Sequence, residues 1–319
     1  MNNSNWFHEL FIDEAKAAKE YYESLGGGES INNQDKTITQ NGTYTADEGY
    51  TGLGTVSVNV ARDDQTDIEA QWIAAIERGT TQVTSLPSGV TSIGSSAFRG
   101  CTNLALTSLP AGVTSIGDSA FQNCTNLALT SLPAEVTSIG TYAFYSCPNL
   151  ALTSLSAGVT SISNNAFSGC TNLALTSLPD GVTRIGDNAF SGCTNLALTS
   201  LPDGVTRIGD SAFDGCTNLA LTSLPDGVTS IGSSAFDDCT NLALTFLPDG
   251  LTSIGYYAFY SCTNLAEITF NGKPSTINSS AFKNCTNLLT INVPWAEGEV
   301  SGAPWGATKA TINYNYTGG

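Results

Sequence analysis

Nine cysteines, one histidine and a recurring aspartate are the side chains in this sequence with chemistry to offer: metal binding, disulfides or nucleophilic attack. Their spacing argues against all three. Cys101, Cys124, Cys147, Cys170, Cys193, Cys216, Cys239, Cys262 and Cys285 recur every 23 residues, so there is no C-x-x-C ligand pair, and their number is odd. They read as one buried column of small, soft side chains, free thiols that fit assembly in a reducing compartment. General acid–base and nucleophilic catalysis need convergent groups, usually with a histidine. The only one, His8, lies outside the cysteine-bearing region. Asp180, Asp203, Asp226 and Asp249 form a second column, each following a proline. A carboxylate ladder can hold Ca²⁺, but Pro-Asp-Gly is also what a tight turn asks for, and the turn reading is preferred. No phosphate-binding or dinucleotide fingerprint is present. The expectation is no catalysis, no metal and no cofactor.

The elements that would position these columns follow from the same period. Phe98, Phe121, Phe144, Phe167, Phe190, Phe213, Phe236, Phe259 and Phe282 mark nine consecutive copies of a 23-residue unit, most often G-V-T-S-I-G-x-x-A-F-x-x-C-T-N-L-A-L-T-S-L-P-D. Ile five before the Phe, Ala one before, Cys three after, Asn five after and Leu six after occur in every copy. The positions two and three before it change freely, as in Ser95-Ser96, Thr141-Tyr142 and Tyr256-Tyr257. Fixed apolar columns beside variable polar ones are the mark of a stacked coil, in which each copy buries the same side chains against its neighbours.

Within a copy, Leu104-x-x-Thr107-x-Leu109 has the spacing of a leucine-rich-repeat strand, ended by Pro110. Val113-x-x-Ile116-Gly reads as a second short strand, and Asp118 to Phe121 as one helical turn. The predicted fold is a leucine-rich-repeat solenoid of nine coils, each a β-strand plus short helical turns. Nine coils stacked at strand spacing make a rod face on the order of 40 Å long.

The unit closely resembles the BspA-like, type 5 bacterial leucine-rich repeats, whose pattern is a strand ending I-P, then V-x-x-I-G, then A-F-x-x-C-x-x-L. The resemblance covers about Thr80 to Pro294 and implies a cell-surface or extracellular interaction module without catalysis. One departure stands out. The central strand position, usually Ile in that family, is Thr107, Thr130, Thr153, Thr176, Thr199, Thr222 and Thr245 in seven copies, and only Ile268 and Ile291 restore it.

That departure leaves two registers open. Leu106, Leu129, Leu152, Leu175, Leu198, Leu221 and Leu244 precede the threonines. Strict alternation along a strand would point these seven leucines outward as an apolar stripe, a candidate homo-oligomer or partner face. A local bulge would instead turn them into the core and the threonines to solvent. Glu267 and Thr290 occupy the same column in the last two copies and favour the first register. A candidate ligand surface lies elsewhere, on the turn side. There Tyr142 and Tyr145 in the third copy, and Tyr256, Tyr257 and Tyr260 in the eighth, replace small polar residues. The expectation is that all five are solvent-accessible.

The flanks divide the rest of the chain. Residues 1–28 read as an amphipathic helix closed by Gly26-Gly27-Gly28, and 29–62 as a small β module built on the Asn41-Gly42 hairpin signal with Val56, Val58 and Val60 alternating in a third strand. Residues 63–79 read as a capping helix carrying Ile68, Trp72 and Ile76, 80–294 as the solenoid, and 295–319 as a C-terminal cap with Trp295, Trp305 and a strand at Ala310 to Tyr314. Both tryptophans read as core caps, with ligand stacking as the alternative. The segment I-T-Q-N-G-T-Y-T-A-D-E-G-Y-T-G-L-G-T-V-S-V-N-V and the C-terminal tail resemble parts of tail-associated proteins of phages and prophages of gut Gram-positive bacteria.

Of the formal charge of −17, 14 acidic and 5 basic residues precede Thr80, and 12 and 5 lie in the repeats. Without clustered Lys and Arg, nucleic acid and anionic membrane are poor partners. No apolar run is long enough to span a bilayer, so no membrane insertion is expected. Residues 1–25 carry no basic segment followed by an apolar one, hence no visible secretion signal. The resulting expectation is a phage or prophage tail-associated protein, made and assembled in the cytoplasm and displayed on a virion or cell surface, that recognises a host-surface protein or glycan. The alternatives are a bacterial surface adhesin and a cytoplasmic interaction scaffold, and self-association is a further expectation.

Overall fold

The computed structural model describes residues 90–102 and 104–317, with Leu86 and the strand Val56–Val58. The helices expected in 1–28 and 63–79 and the hairpin at Asn41-Gly42 lie outside the described residues.

The V-x-x-I-G segments form one face of a parallel solenoid. Strands β2 (Val90–Ile93), β3 (Ser115–Ile116) and β4 (Ser138–Ile139) pair in register, Ile93 with Ile116 and Ile116 with Ile139. A second run continues from β5 (Ser161–Ile162) through β6 (Arg184–Ile185), β7 (Arg207–Ile208) and β8 (Ser230–Ile231) to β10 (Ser253–Ile254) and β12 (Thr276–Ile277). The break falls between β4 and β5. At the next position most coils carry glycine, because a Cβ there would meet the preceding coil's backbone at about 2.5–2.8 Å. Ser163 stands in that column, and its Oγ donates to the Ile139 carbonyl at 2.7 Å, where other coils use the glycine amide. At the N-terminal edge, β1 (Val56–Val58) pairs antiparallel with β2. It covers the open edge of the first coil, as terminal repeats require.

The core is a set of columns. The nine phenylalanines are essentially fully buried and stack with ring centroids 5.0–5.5 Å apart and planes within 11° of parallel. Each buried cysteine thiol donates to the phenylalanine carbonyl of the preceding coil, from 2.9 Å at Cys124 to 3.1 Å at Cys216.

The segment around each Phe is not a helical turn. The residue two after it takes positive φ in all nine coils and the residue two before it in the first eight, for example 75° at Gly100 and 57° at Ser96. Alternating backbone hand sends every second N–H out of its own coil: Ser96, Phe98 and Gly100 donate to Asp118, Ala120 and Gln122 of the next, while Ala97, Arg99 and Cys101 bond locally. A helical turn would direct all these amides within one coil and leave the stack without a ladder on this side.

The exposed leucine stripe does not exist. Leu106, Leu129, Leu152, Leu175, Leu198, Leu221 and Leu244 are 0–1% exposed, while Thr107 and Ser108 and their equivalents both face solvent. Two consecutive outward residues break the alternation, and no regular strand forms in the first six copies. Burying Leu in place of Thr is worth about 1–3 kcal/mol per copy, enough to offset lost ladder bonds. In the last coils the apolar residue moves one place on. Ile268 and Ile291 are buried, and β9 (Phe246–Leu247), β11 (Glu267–Phe270), β13 (Thr290–Asn292) and β14 (Thr311–Asn313) form a true parallel sheet.

Buried Trp295 and Trp305 close the C-terminal end, packing edge-on against each other and around Phe270. Trp305 Nε1 donates to the Ser301 carbonyl at 2.9 Å, and neither ring is free to stack on a ligand.

Candidate functional site

The columns that could have done chemistry are occupied structurally. Burial raises every thiol of the column well above its ordinary value, Cys101, Cys147 and Cys285 to about 12. They stay protonated, as donors in a ladder must, and are poor nucleophiles. Asp180, Asp203, Asp226 and Asp249 are exposed in turns closed by bonds such as Val182 N–H to Pro179 O at 3.0 Å. Among the described residues, the asparagines five after the Phe, from Asn126 to Asn287, form no buried ladder: they lie at the surface and bond between coils only in places, as Asn149 Nδ2 does to Thr125 O at 2.8 Å. Among the described residues, no three His, Cys, Asp or Glu side chains converge as a metal site, and no helix is long and apolar enough to cross a membrane.

What remains is the turn face. All five tyrosines are accessible there: Tyr142 is 38% and Tyr256 48% exposed, and Tyr145, Tyr257 and Tyr260 are half-buried. They form two groups. Tyr142 and Tyr145 meet edge to face at 5.5 Å. In the eighth coil Tyr256 stacks on Tyr257 at 3.7 Å, and Tyr257 lies 4.8 Å from Tyr260. Five steps of the phenylalanine stack separate these coils, placing the groups about 27 Å apart on one face.

Neither group is explained by stability. Tyr142 and Tyr257 hold φ of 57° and 56°, a left-handed conformation that Ser or Asn occupies in the other coils. The Cβ cost of that conformation is common to Ser and Tyr, so it does not favour the tyrosines, and the exposed rings return little burial. Polar neighbours fix the larger group. Lys283 Nζ lies 3.3 Å from the Tyr257 hydroxyl and 5.3 Å from its ring centre, and Asn284 Nδ2 donates to Tyr260 Oη at 2.7 Å. A hydrogen bond from Tyr256 and the Lys283 ammonium lower the Tyr257 phenol, and the Tyr256 phenol rises in turn.

Beside the cluster, burial and then the Asp214 and Asp238 carboxylates raise Asp237 to about 6. Its Oδ1 is buried without a hydrogen-bond partner. On the other side a cleft of about 370 Å³ opens between Tyr256 and the cap loop, walled by Thr276, Asn278, Ser279, Ser301 and Gly302. The cap loop is fixed by Lys273 Nζ to Glu299 Oε1 at 3.3 Å and by the Ala296 amide on Glu299 Oε2 at 3.0 Å. Gly302, at φ 88°, lets it lie against Ser279.

The sequence pointed to the tyrosines but not to their supports. Lys283 follows Tyr260 by one period, so reading that column by coil would have found it. The cleft has no such signal, because its far wall is cap loop, outside the repeat.

The family model described as the BspA type leucine rich repeat region, in six copies, matches residues 78–197 and 184–300. No curated protein matches the chain. Among solved structures, a leucine-rich repeat protein from Bacteroides ovatus is similar at 26% identity and a TM-score of 0.51, over 72% of this chain and 68% of that one. A leucine rich cell surface protein from Faecalibacterium prausnitzii is 31% identical over 61% of each chain, with a TM-score of 0.44. A leucine rich repeat protein from T. pallidum is 34% identical over 55% of this chain and 78% of that one, with a TM-score of 0.43.

Proposed function

We propose that this chain, which belongs to the BspA-type leucine-rich-repeat family, is a non-enzymatic binding scaffold that presents its turn face to a ligand on a host-cell surface. One observation carries the reading: five tyrosines sit on that face, accessible and gathered in two clusters, where other coils carry polar residues. Aromatic rings kept exposed at positions that tolerate polar residues point to a ligand, and tyrosine anchors interfaces at low entropic cost.

The setting we favour is a phage or prophage tail, with residues 1–79 as the attachment region. The resemblance of the Ile38 to Val60 segment to tail-associated modules supports it. Family membership supports a second reading, a bacterial surface adhesin. Incubating the fluorescently labelled full chain with intact gut Gram-positive bacteria and with cultured intestinal epithelial cells separates them. Saturable binding to bacteria is expected; binding to epithelial cells alone would favour the adhesin, and binding to neither would end the proposal.

A further inference from the structure

The cleft beside Tyr256 adds a chemical class to the turn face. Its residues are all uncharged. One wall is an aromatic ring, 48% exposed and backed by Tyr257, so that its outer face is held ready. The lining also carries hydroxyls: Thr276, Ser279 and Ser301 are exposed, and among the described residues their hydroxyls have no protein hydrogen-bond partner. Asn278 is half-buried at the base, its Oδ1 accepting from the Ser280 amide at 3.0 Å, which leaves its Nδ2 as a donor. The volume is at the small end for a ligand site and suits one ring rather than a chain of side chains.

An aromatic ring sharing a cleft with neutral donors and acceptors matches a molecule with one apolar face and a hydroxylated edge. We propose that this cleft binds a single neutral pyranose residue of a surface glycan, its C–H face on the Tyr256 ring and its hydroxyls directed to Thr276, Asn278, Ser279 and Ser301. A peptide side chain would want a deeper apolar pocket, and an acidic sugar or phosphate would meet no cation among the lining residues. The proposal rests on the surface-binding reading above and narrows it to a glycan at one coil.

The test is a glycan array of neutral and anionic oligosaccharides probed with the full chain and its Tyr256→Ala, Tyr256→Trp and Phe246→Ala variants, with melting temperatures measured in parallel. Neutral glycans should bind the wild type, Tyr256→Ala should lose at least about tenfold in affinity without a lower melting temperature, and Tyr256→Trp should retain binding. Phe246→Ala, on the leucine side and outside the cleft lining, should leave affinity unchanged. Preference for anionic glycans, no glycan binding, or equal binding by Tyr256→Ala would overturn the assignment. The cell-binding experiment judges the surface-binding reading separately: cells bound without glycans would reject the pyranose and keep the scaffold.

Discussion

The first six copies and the last two, joined by a seventh that already lends β9 to the sheet, share a 23-residue period, a phenylalanine stack and a cysteine ladder, yet they build the leucine side of the coil differently. Where the unit reads L-A-L-T-S-L, both leucines of L-x-L are buried, Thr-Ser faces water, and the ladder keeps a single bond between coils, such as Ala197 N–H to Leu175 O at 3.3 Å, with a second only from Thr153 N–H to Thr130 O at 3.4 Å. Where it reads L-A-E-I-T-F or L-L-T-I-N-V, the buried residue is the isoleucine one place later, and a continuous parallel sheet forms. Apolar burial sets the register of the side chains, and the backbone ladder follows where the pattern allows it. A solenoid with two other bonded faces tolerates a broken third one.

The largest expected effect is one on which the two regions should agree. Phe190→Ala and Phe259→Ala should each cost about 3–5 kcal/mol, measured by denaturant unfolding. The accompanying loss of amide protection should centre on the mutated coil and its neighbours. Uniform loss along the rod would refute nearest-neighbour coupling.

The next contrast separates the regions. Leu198→Ala should cost about 2–5 kcal/mol and Thr199→Ala under about 0.5. In the eighth coil the order shifts by one: Ile268→Ala should be the costly change. Glu267→Ala should cost about 1 kcal/mol, because buried Asn292 loses the acceptor held at 2.6 Å. Equal costs at Leu198 and Thr199 would show that the first six copies use a regular strand after all.

Hydrogen exchange sharpens the comparison without mutation. The amides of Thr269 and Leu289, bonded to Thr245 O and Ala266 O at 2.9 Å, should exchange slowly, and those of Thr199 and Ser200 fast. Comparable protection would contradict the broken ladder.

The smallest effect concerns pH. Because Asp237 is raised to about 6 in the folded chain, its ionised form opposes folding at neutral pH. That penalty is relieved as pH falls through 6 towards the ordinary carboxylate value near 4. Asp237→Asn should therefore melt higher than wild type at pH 7.5 and match it at pH 4; a constant difference across that range would reject the assignment.

The period made most of the solenoid legible, since nine internal copies show which columns are core. The alternation rule failed at Leu106 to Ser108, because it presumes a regular strand, and Glu267 misled by belonging to the other kind of coil. The turn was misread as helical because the left-handed residue before the Phe is Ser, Asn or Tyr wherever it occurs, and the one after it is Gly in only four coils. The five tyrosines were visible as departures from the repeat. Their supports and the cleft were less so, since they depend on a cap loop seen once.

The central claim is that the turn face, rather than the leucine side, meets the ligand. Phe246, 52% exposed on the leucine side, provides the control. Affinity for intact gut Gram-positive cells, measured by flow cytometry with the full chain, should fall at least about tenfold for Tyr256→Ala/Tyr257→Ala/Tyr260→Ala and stay unchanged for Phe246→Ala. Undiminished binding by the triple variant, or loss with Phe246→Ala alone, would contradict it.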